Sequence, residues 1–345
     1  MDTITALITL TCNLVILVIK VILAYLVLIW VAAIPAVFQE RKIWQSRGVP
    51  NVTAFGMLKI YLLNVAWMSA CLIGSVGVVL RCGVMQLMGK SKQEVSDTCR
   101  RLAHDVVERT VAKYMLHMFT GPIEWKGLEH LPKPPEDPSK PDIPAPVYIA
   151  NHASQLDISA VYFLDVPWRW IAKSSVLFLP GVGQIMWLSN HVMIDRAPKK
   201  KKTTTATKTS EQEASSSSST KTSDGGGIVP KTSARNLYIQ SNNSIQSGVP
   251  MFFFPQGTRR MVERLPFKDG AFKIAIANEA PIYPMSIDIP TTAWNSSYPF
   301  VRDVKPIVCT LHPPVQVKKT DDIEKLKKDT FDTIYSILPD FQKEN

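Results

Sequence analysis

A long apolar stretch at the start of the chain limits its possible folds more than any other feature. Residues 4–38 are almost wholly apolar, and Asn13 and Lys20 are their most polar interruptions. This length exceeds the roughly 20 residues that a helix needs to span a bilayer. A cleaved signal peptide is the alternative, but its apolar part runs to only about 7–15 residues and follows positive charge. We therefore predict a membrane helix.

A second apolar stretch covers residues 58–80, with Gly74 and Gly77 near its end. The connection between the two stretches carries four basic residues and one acidic residue: Arg41, Lys42, Arg47, Lys59 and Glu40. The positive-inside rule places this connection on the cytosolic side. Basic residues also follow the second stretch, so it either spans the membrane or re-enters it. We assign residues 1–90 to membrane-anchoring helices.

Residues 91–146 are predicted to hold an amphipathic helix and a connector. Apolar residues recur near helical spacing within 92–119, which indicates a helix with one apolar face. That face packs either on the rest of the protein or on a membrane surface, and the sequence leaves both open. The proline-rich residues 131–146 exclude helix and central strand and indicate a stiff connector.

From residue 147 onward, short apolar runs alternate with helical patterns. The runs predicted as strands are 147–150, 168–172, 191–194, 251–254, 282–287 and 307–311. Such alternation predicts an α/β fold with a mixed sheet flanked by helices, here preceded by N-terminal membrane helices. We assign residues 147–345 to this domain. Residues 198–233 are rich in Lys, Thr and Ser and predict a disordered insertion.

Net charge and cysteine content narrow the class of partner. The net charge of +10 favours an anionic partner, such as nucleic acid, an anionic membrane surface or a phosphorylated substrate. Nucleic acid is disfavoured because the basic residues concentrate in the insertion and beside the apolar stretches. The five cysteines have neither paired nor metal-ligand spacing, so no disulfide, metal or cofactor is predicted.

The clearest chemical motif directly follows the predicted strand 147–150. His152 and Asp157 are five residues apart, and on one regular helix they would point in different directions. We therefore place His152 before the helix and Asp157 in its first turn, with Ser154 as the helix cap of a capping box. There the carboxylate can orient the imidazole as a general base. A structural histidine and a simple helix cap are the alternative.

Two further segments carry charge after a strand. Residues 252–260 read as a buried strand that ends in a turn with Gly257, Thr258 and Arg259. Small residues followed by a guanidinium group are typical of an anion site. Arg196 likewise follows the strand predicted at 191–194. Solvated turns and surface ion pairs are the alternative in both cases.

The order of these motifs resembles the glycerophospholipid acyltransferase family. The motifs are His-x4-Asp, an apolar strand that ends in Ile-Asp-Arg, and Phe-Pro-Gln-Gly-Thr-Arg. The resemblance covers about residues 123–338 and is closest to the lysophosphatidic acid acyltransferases. Two departures stand out: Gln256 replaces the usual glutamate, and Asn190 or a neighbour replaces a glycine. Asparagine also tolerates positive φ, whereas Gln256 leaves the acceptor contacts in question.

The resemblance implies acyl transfer from acyl-CoA, as co-substrate, to the sn-2 hydroxyl of lysophosphatidic acid in a membrane. His152 would be the general base and Asp157 would orient it. Substrate-binding residues would be Lys173, Arg196, Gln256, Gly257, Thr258 and Arg259, with backbone groups of Gly257 and Thr258 orienting substrate or stabilising an oxyanion. The start of the chain lacks transit-peptide character, which favours the endoplasmic reticulum with the catalytic domain on the cytosolic face.

Two alternatives stay open from the sequence. The same chemistry could act on glycerol 3-phosphate or on another lysophospholipid. A catalytically silent membrane protein that binds anionic lipid is the alternative from another class; Gln256 favours it, and the intact His152 and Asp157 speak against it.

Overall fold

A computed structural model of the chain describes residues 2–46, 52–132, 144–196, 229–294 and 305–340. Helix α1 (Asp2–Gln45) and helix α2 (Ala54–Leu87) pack against each other. Both are long and apolar enough to cross a membrane, judged by length and composition. Most large apolar side chains of α1 are exposed, as a lipid-facing helix requires.

Helix α2 continues without a break through Gly74 and Gly77. Gly74 lets the following helical segment approach closely, because a Cβ there would lie 2.2 Å from Cγ1 of Val107. Thr53 caps the start of the helix, and its side chain accepts a hydrogen bond from the Gly56 N–H at 3.0 Å. The sequence left a spanning and a re-entrant course open for this stretch; the helix does not turn back at the two glycines, and packing explains Gly74.

The helix predicted at 92–119 is confirmed, but a π-helical turn divides it. Helix α3 (Lys92–Arg101) and helix α4 (Arg109–Thr120) flank the π-helical residues Leu102–Glu108. A π-turn shifts the helical phase, so the face predicted from regular spacing is only partly buried. Val95 and Val111 are buried, whereas Val106 and Tyr114 are exposed. His104 and Glu108 are buried instead.

The described residues contain a seven-stranded mixed sheet, which confirms the predicted fold class. Its strands are β1 (Ile123–Lys126), β2 (Val147–Ala150), β3 (Arg169–Lys173), β4 (Val192–Ile194), β5 (Met251–Phe253), β6 (Ile282–Asp288) and β7 (Ile307–Leu311). Their order is β1-β7-β6-β2-β5-β3-β4, and all neighbours are parallel except β6 and β7. Six of the seven lie within one residue of a predicted run.

Helices cover both faces of the sheet, and alternate residues of the central strands β2 and β5 enter two separate cores. Tyr148 of β2 packs with Trp44 of α1 and Leu116 of α4 on one face. Ile149 packs with residues of α7 (Lys231–Gln246), α8 (Gly270–Asn278) and α9 (Ile323–Ser336) on the other. The remaining helices are α5 (Leu156–Val161) and α6 (Val182–Leu188). Burial on both faces explains why these strands read as continuous apolar runs.

The sheet begins before the boundary that the sequence placed at residue 147. β1 pairs with β7 from Ile123 to Lys126 and so lies within the segment 91–146. The sequence did not predict β1, because this strand is only four residues long and its half-buried and exposed side chains alternate. The connector residues 133–143 lie outside the described residues.

The insertion predicted at 198–233 is too long at its C-terminal end. Residues 198–228 lie outside the described residues. Helix α7 begins at Lys231, and Ser233 is buried, with its Oγ accepting a hydrogen bond from the Asp195 N–H at 2.8 Å. Residues 231–233 therefore belong to the fold.

Candidate active site

The motif residues meet at the carboxyl edge of four parallel strands, β2, β5, β3 and β4. His152 follows β2, and its Nδ1 lies 2.8 Å from Oδ2 of Asp157 in the first turn of α5. Asp157 is fully buried, while the His152 side chain is 15% exposed. The carboxylate accepts the Nδ1 proton, so the lone pair of Nε2 is available as a base. The predicted pairing of these two side chains is present in the structure.

The turn before α5 differs in detail from a capping box. The helix begins at Leu156, so its cap position is Gln155 and not the predicted Ser154. Asp157 Oδ2 accepts the backbone N–H groups of Ala153 at 2.6 Å and Ser154 at 3.1 Å, as the reciprocal half of the box requires. The Ser154 hydroxyl instead accepts from the Leu156 N–H at 3.3 Å and donates to a carboxylate of α1. Asp157 therefore binds both the imidazole and the backbone of the turn that carries it.

Four hydrogen bonds of Gln256 and Asn151 hold the backbone around His152 between neighbouring strands. Gln256 Oε1 accepts the His152 N–H at 2.7 Å, and Gln256 Nε2 donates to the Tyr335 hydroxyl at 2.8 Å. Asn151 exchanges two hydrogen bonds with the backbone of Ile287 at the end of β6. Gln256 is 2% exposed. Its contacts are with the protein's own backbone and α9, so the structure places it behind the predicted acceptor site.

The turn after β5 places an aromatic ring against His152 and contains a glycine with left-handed backbone conformation. The Phe254 ring stacks on the His152 imidazole, with centroids 4.0 Å apart and planes 13° from parallel. Gly257 has φ +71°, which favours glycine over other residues. Its N–H donates to the Phe254 carbonyl at 2.9 Å. The predicted role of this N–H toward an oxyanion is therefore not supported here, since the turn itself uses the donor.

Three predicted cationic residues lie at this edge of the sheet. Lys173 is exposed at the end of β3, in register with Ile194 of β4. Arg196 follows β4, and its guanidinium donates to the Gly257 carbonyl. Arg259 follows the Gly257 turn and is 20% exposed. The parallel strands bring these cations to one edge although they are far apart in sequence.

The sequence missed a contribution from α1. The Glu40 carboxylate is fully buried and lies 3.1 Å from Nη1 of Arg259. It also accepts the Ser154 hydroxyl. In the sequence, Glu40 was one charge in a basic connection, and nothing in a local pattern pairs it with a residue 219 positions away.

Burial sets the electrostatics of the base. Burial lowers the pKa of His152 below its ordinary value of about 6.5, while the hydrogen bond that Nδ1 donates to Asp157 opposes the shift. The imidazole is therefore neutral at neutral pH and able to accept a proton. Burial also lowers the pKa of Arg196, but a guanidinium starts far above pH 7 and stays charged.

A separate cluster of His104, Glu108 and His191 has ligand atoms within 4.8 Å of one another. His191 Nδ1 accepts the Trp170 N–H at 3.0 Å, so the ring proton lies on Nε2, which faces Glu108 at 2.9 Å. That nitrogen then has no lone pair for a metal. Two free ligands are fewer than the three of a catalytic zinc site, and we read the cluster as a buried hydrogen-bond network.

Known proteins resemble this chain in sequence and in fold. The family model described as Acyltransferase matches residues 122–288. The chain is 30% identical over 224 residues to the 1-acyl-sn-glycerol-3-phosphate acyltransferase of Limnanthes alba, which covers 63% of this chain and 64% of that protein. It is 28% identical over 144 residues to the protein of that name in Escherichia coli strain K12, covering 41% and 46%.

A further match of 30% identity, over 162 residues, is with a 1-acyl-sn-glycerol-3-phosphate acyltransferase of Chlamydomonas reinhardtii; it covers 47% of this chain and 37% of that protein. The chain thus spans between 37% and 64% of these relatives' lengths. The crystal structure of the 1-acyl-sn-glycerophosphate (LPA) acyltransferase PlsC from Thermotoga maritima shares the fold. Its TM-score is 0.51 at 18% identity, covering 82% of this chain and 92% of that one. Residues 122–288 of this chain thus match the model of the Acyltransferase family, and the relatives it resembles are named 1-acyl-sn-glycerol-3-phosphate acyltransferases.

Proposed function

We propose that this protein transfers a fatty acyl group from acyl-CoA to the sn-2 hydroxyl of lysophosphatidic acid in a membrane, giving phosphatidic acid. The observation that carries the proposal is the pairing of His152 Nδ1 with the buried Asp157 at 2.8 Å, at a sheet edge shared with cationic side chains. A base oriented by a carboxylate suits activation of a hydroxyl. The neighbouring cations suit an acceptor that carries phosphate.

The reaction needs one proton relay and no acyl-enzyme. His152 Nε2 removes the proton of the acceptor hydroxyl as the oxygen attacks the thioester carbonyl carbon. The tetrahedral intermediate then collapses, the carbon–sulfur bond breaks, and the CoA sulfur takes the proton back from the imidazolium. Asp157 holds the ring and stabilises its charge during this cycle. The products are phosphatidic acid and free CoA.

Arg259, Arg196 and Lys173 are assigned to the acceptor phosphate. Arg259 follows the turn beside His152, and its planar guanidinium can bind two phosphate oxygens at once. Arg196 also braces the turn through the Gly257 carbonyl. Lys173 is exposed and adds a point charge at the same edge. The role of Thr258 toward substrate stays a prediction.

Location in the endoplasmic reticulum, with the site on the cytosolic face, belongs to the same proposal. Glu40 contacts the catalytic turn, so the basic end of α1 and the site lie on one side. The positive-inside rule assigns that side to the cytosol. Two plant relatives carry chloroplastic names; fractionation with markers of both organelles decides between the compartments.

An acceptor panel tests the activity. Membranes containing the protein are given acyl-CoA with lysophosphatidic acid, glycerol 3-phosphate or lysophosphatidylcholine, and the His152→Ala variant serves as the control. We expect turnover with lysophosphatidic acid to exceed that with the other two. Preference for glycerol 3-phosphate or lysophosphatidylcholine would replace the acceptor. Binding of anionic lipid without transfer to any acceptor would refute the enzyme.

A further inference from the structure

A carboxylate near the end of α1 is buried against the catalytic turn. Glu40 has no exposed surface, although much of α1 before it exposes apolar side chains. A buried charge is costly unless it is paired and hydrogen-bonded. Glu40 meets this condition through contacts with two different parts of the active site. The N-terminal helix therefore contributes more than an anchor.

The contacts of Glu40 divide between its two oxygens. Oε2 lies 3.1 Å from Nη1 of Arg259. Oε1 accepts the Ser154 hydroxyl and, at 3.1 Å, the indole N–H of Trp44 one turn further along α1. The Gln155 N–H lies 3.4 Å from both oxygens. One carboxylate thus joins the turn between His152 and α5 to Arg259, which follows the neighbouring strand β5.

The exposure of the two partners indicates which side of Arg259 faces substrate. Glu40 is fully buried, whereas the Arg259 side chain is 20% exposed. The carboxylate therefore lies on the protein side of the guanidinium, where it restrains the group's rotation without occupying its open face. A carboxylate that occupied the phosphate site itself would be expected to be as exposed as Arg259, and Glu40 is not.

We propose that Glu40 is a positioning residue of the acceptor site, which holds the Arg259 guanidinium and the turn at Ser154 in their working arrangement. The acceptor site is then complete only when the end of α1 is docked on the catalytic domain. The inference rests on the proposed function, because it requires Arg259 to bind the acceptor phosphate.

Kinetics of Glu40→Gln test this proposal in full-length protein, with each substrate varied in turn. The amide keeps the size of the side chain but loses the charge that orients Arg259. We expect the KM for lysophosphatidic acid to rise about tenfold or more, the loss expected when one hydrogen bond between charged groups is removed. The KM for acyl-CoA should change much less. Glu94→Gln, which removes a surface carboxylate paired with Lys90, is the matched control.

Comparison with Arg259→Gln separates positioning from a purely structural role. If Glu40 acts through Arg259, the double variant should have the acceptor KM of Arg259→Gln alone. An unchanged acceptor KM in Glu40→Gln, with a raised one in Arg259→Gln, refutes the inference and leaves the function standing. Equal rises in both KM values, or a lowered acceptor KM, also refute it.

A conservative variant covers the case in which Glu40→Gln does not fold. Glu40→Asp keeps the charge but draws the carboxylate back toward α1 by one methylene. We expect the same selective rise in the acceptor KM, and no rise refutes the inference. Wild-type protein that acylates no lysophosphatidic acid refutes the proposed function and this inference together. An unchanged acceptor KM in Arg259→Gln refutes the inference while acyl transfer itself stands.

Discussion

Asp157→Asn isolates the carboxylate that orients the proposed base. The oxygen Oδ2 accepts three donors: His152 Nδ1 at 2.8 Å, the Ala153 N–H at 2.6 Å and the Ser154 N–H at 3.1 Å. An asparagine oxygen can still accept the two backbone donors, so the turn should keep its fold. What disappears is the negative charge beside the imidazolium that forms when His152 takes a proton.

The lost hydrogen bond between charged groups sets the size of the effect. Such a bond contributes about 1.5–3 kcal/mol, which corresponds to about a 10- to 150-fold fall in kcat/KM. The loss should be smaller than that of His152→Ala, which removes the base itself. The assay is acyl transfer to lysophosphatidic acid across a pH series, with the melting temperature measured in parallel.

The pH dependence gives a second readout with a defined sign. Activity needs neutral His152, so it is full above the pKa of that group and is lost as the pH falls through it. Burial holds this pKa below about 6.5, and Asp157 raises it against burial. Removing the charge should therefore move the acid limb of kcat/KM to lower pH.

Asp165→Asn is the matched control, since it makes the same change on an exposed carboxylate that pairs with Lys113. Its rate and acid limb should equal those of the wild-type protein. A folded Asp157→Asn variant with wild-type rate would refute the assignment of Asp157 as the orienting group. An acid limb that moves to higher pH would contradict the electrostatic argument.

Three further predictions concern the base, its support and the insertion. His152→Ala should lower kcat/KM by about 10²- to 10⁴-fold with the melting temperature retained; a folded variant with more than about a tenth of the wild-type rate would exclude the general-base role. Gln256→Glu should stay active, because a carboxylate can accept both the His152 N–H and the Tyr335 hydroxyl. Gln256→Ala leaves the His152 N–H unpaired and should lower the free energy of unfolding by about 1–3 kcal/mol. Equal denaturation curves for Gln256→Ala and wild type would contradict this role. Replacing residues 198–228 with a Gly-Ser linker should leave turnover nearly unchanged, because polar low-complexity sequence adds little to a core. Extending the deletion through Ser233 removes the contact of Ser233 with Asp195 and should lower the melting temperature. Loss of activity in the folded shorter deletion would place the insertion in the site.

Local sequence was sufficient for most of the sheet. The strands β2 to β7 are short apolar runs that stand out between helical patterns, and β2 and β5 are buried on both faces. The pairing of His152 with Asp157 was also accessible, because a five-residue separation across a strand-to-helix turn leaves few other geometries. Positive φ at Asn190, at 56°, follows from the same kind of local argument.

Other features depended on contacts that no local pattern carries. The π-helical turn at Leu102–Glu108 changed which residues of the predicted amphipathic helix are buried. The role of Gln256 as a support depends on Tyr335 in α9, 79 positions away. The oxyanion role predicted for the Gly257 N–H is not supported, because this group donates to the Phe254 carbonyl, a contact that only the folded turn shows.

The sequence by itself determined the residue types of the site, their order and their places at the ends of strands. It did so because a strand, the turn after it and a helix cap are each governed by a few neighbouring residues. Only the tertiary structure decided what surrounds them, since β2, β5, β3 and β4 must lie parallel before their ends form one edge. The contact of Glu40 with Arg259 is the clearest case. Its free energy comes from pairing two charges that are brought together by the docking of α1, across 219 positions of sequence.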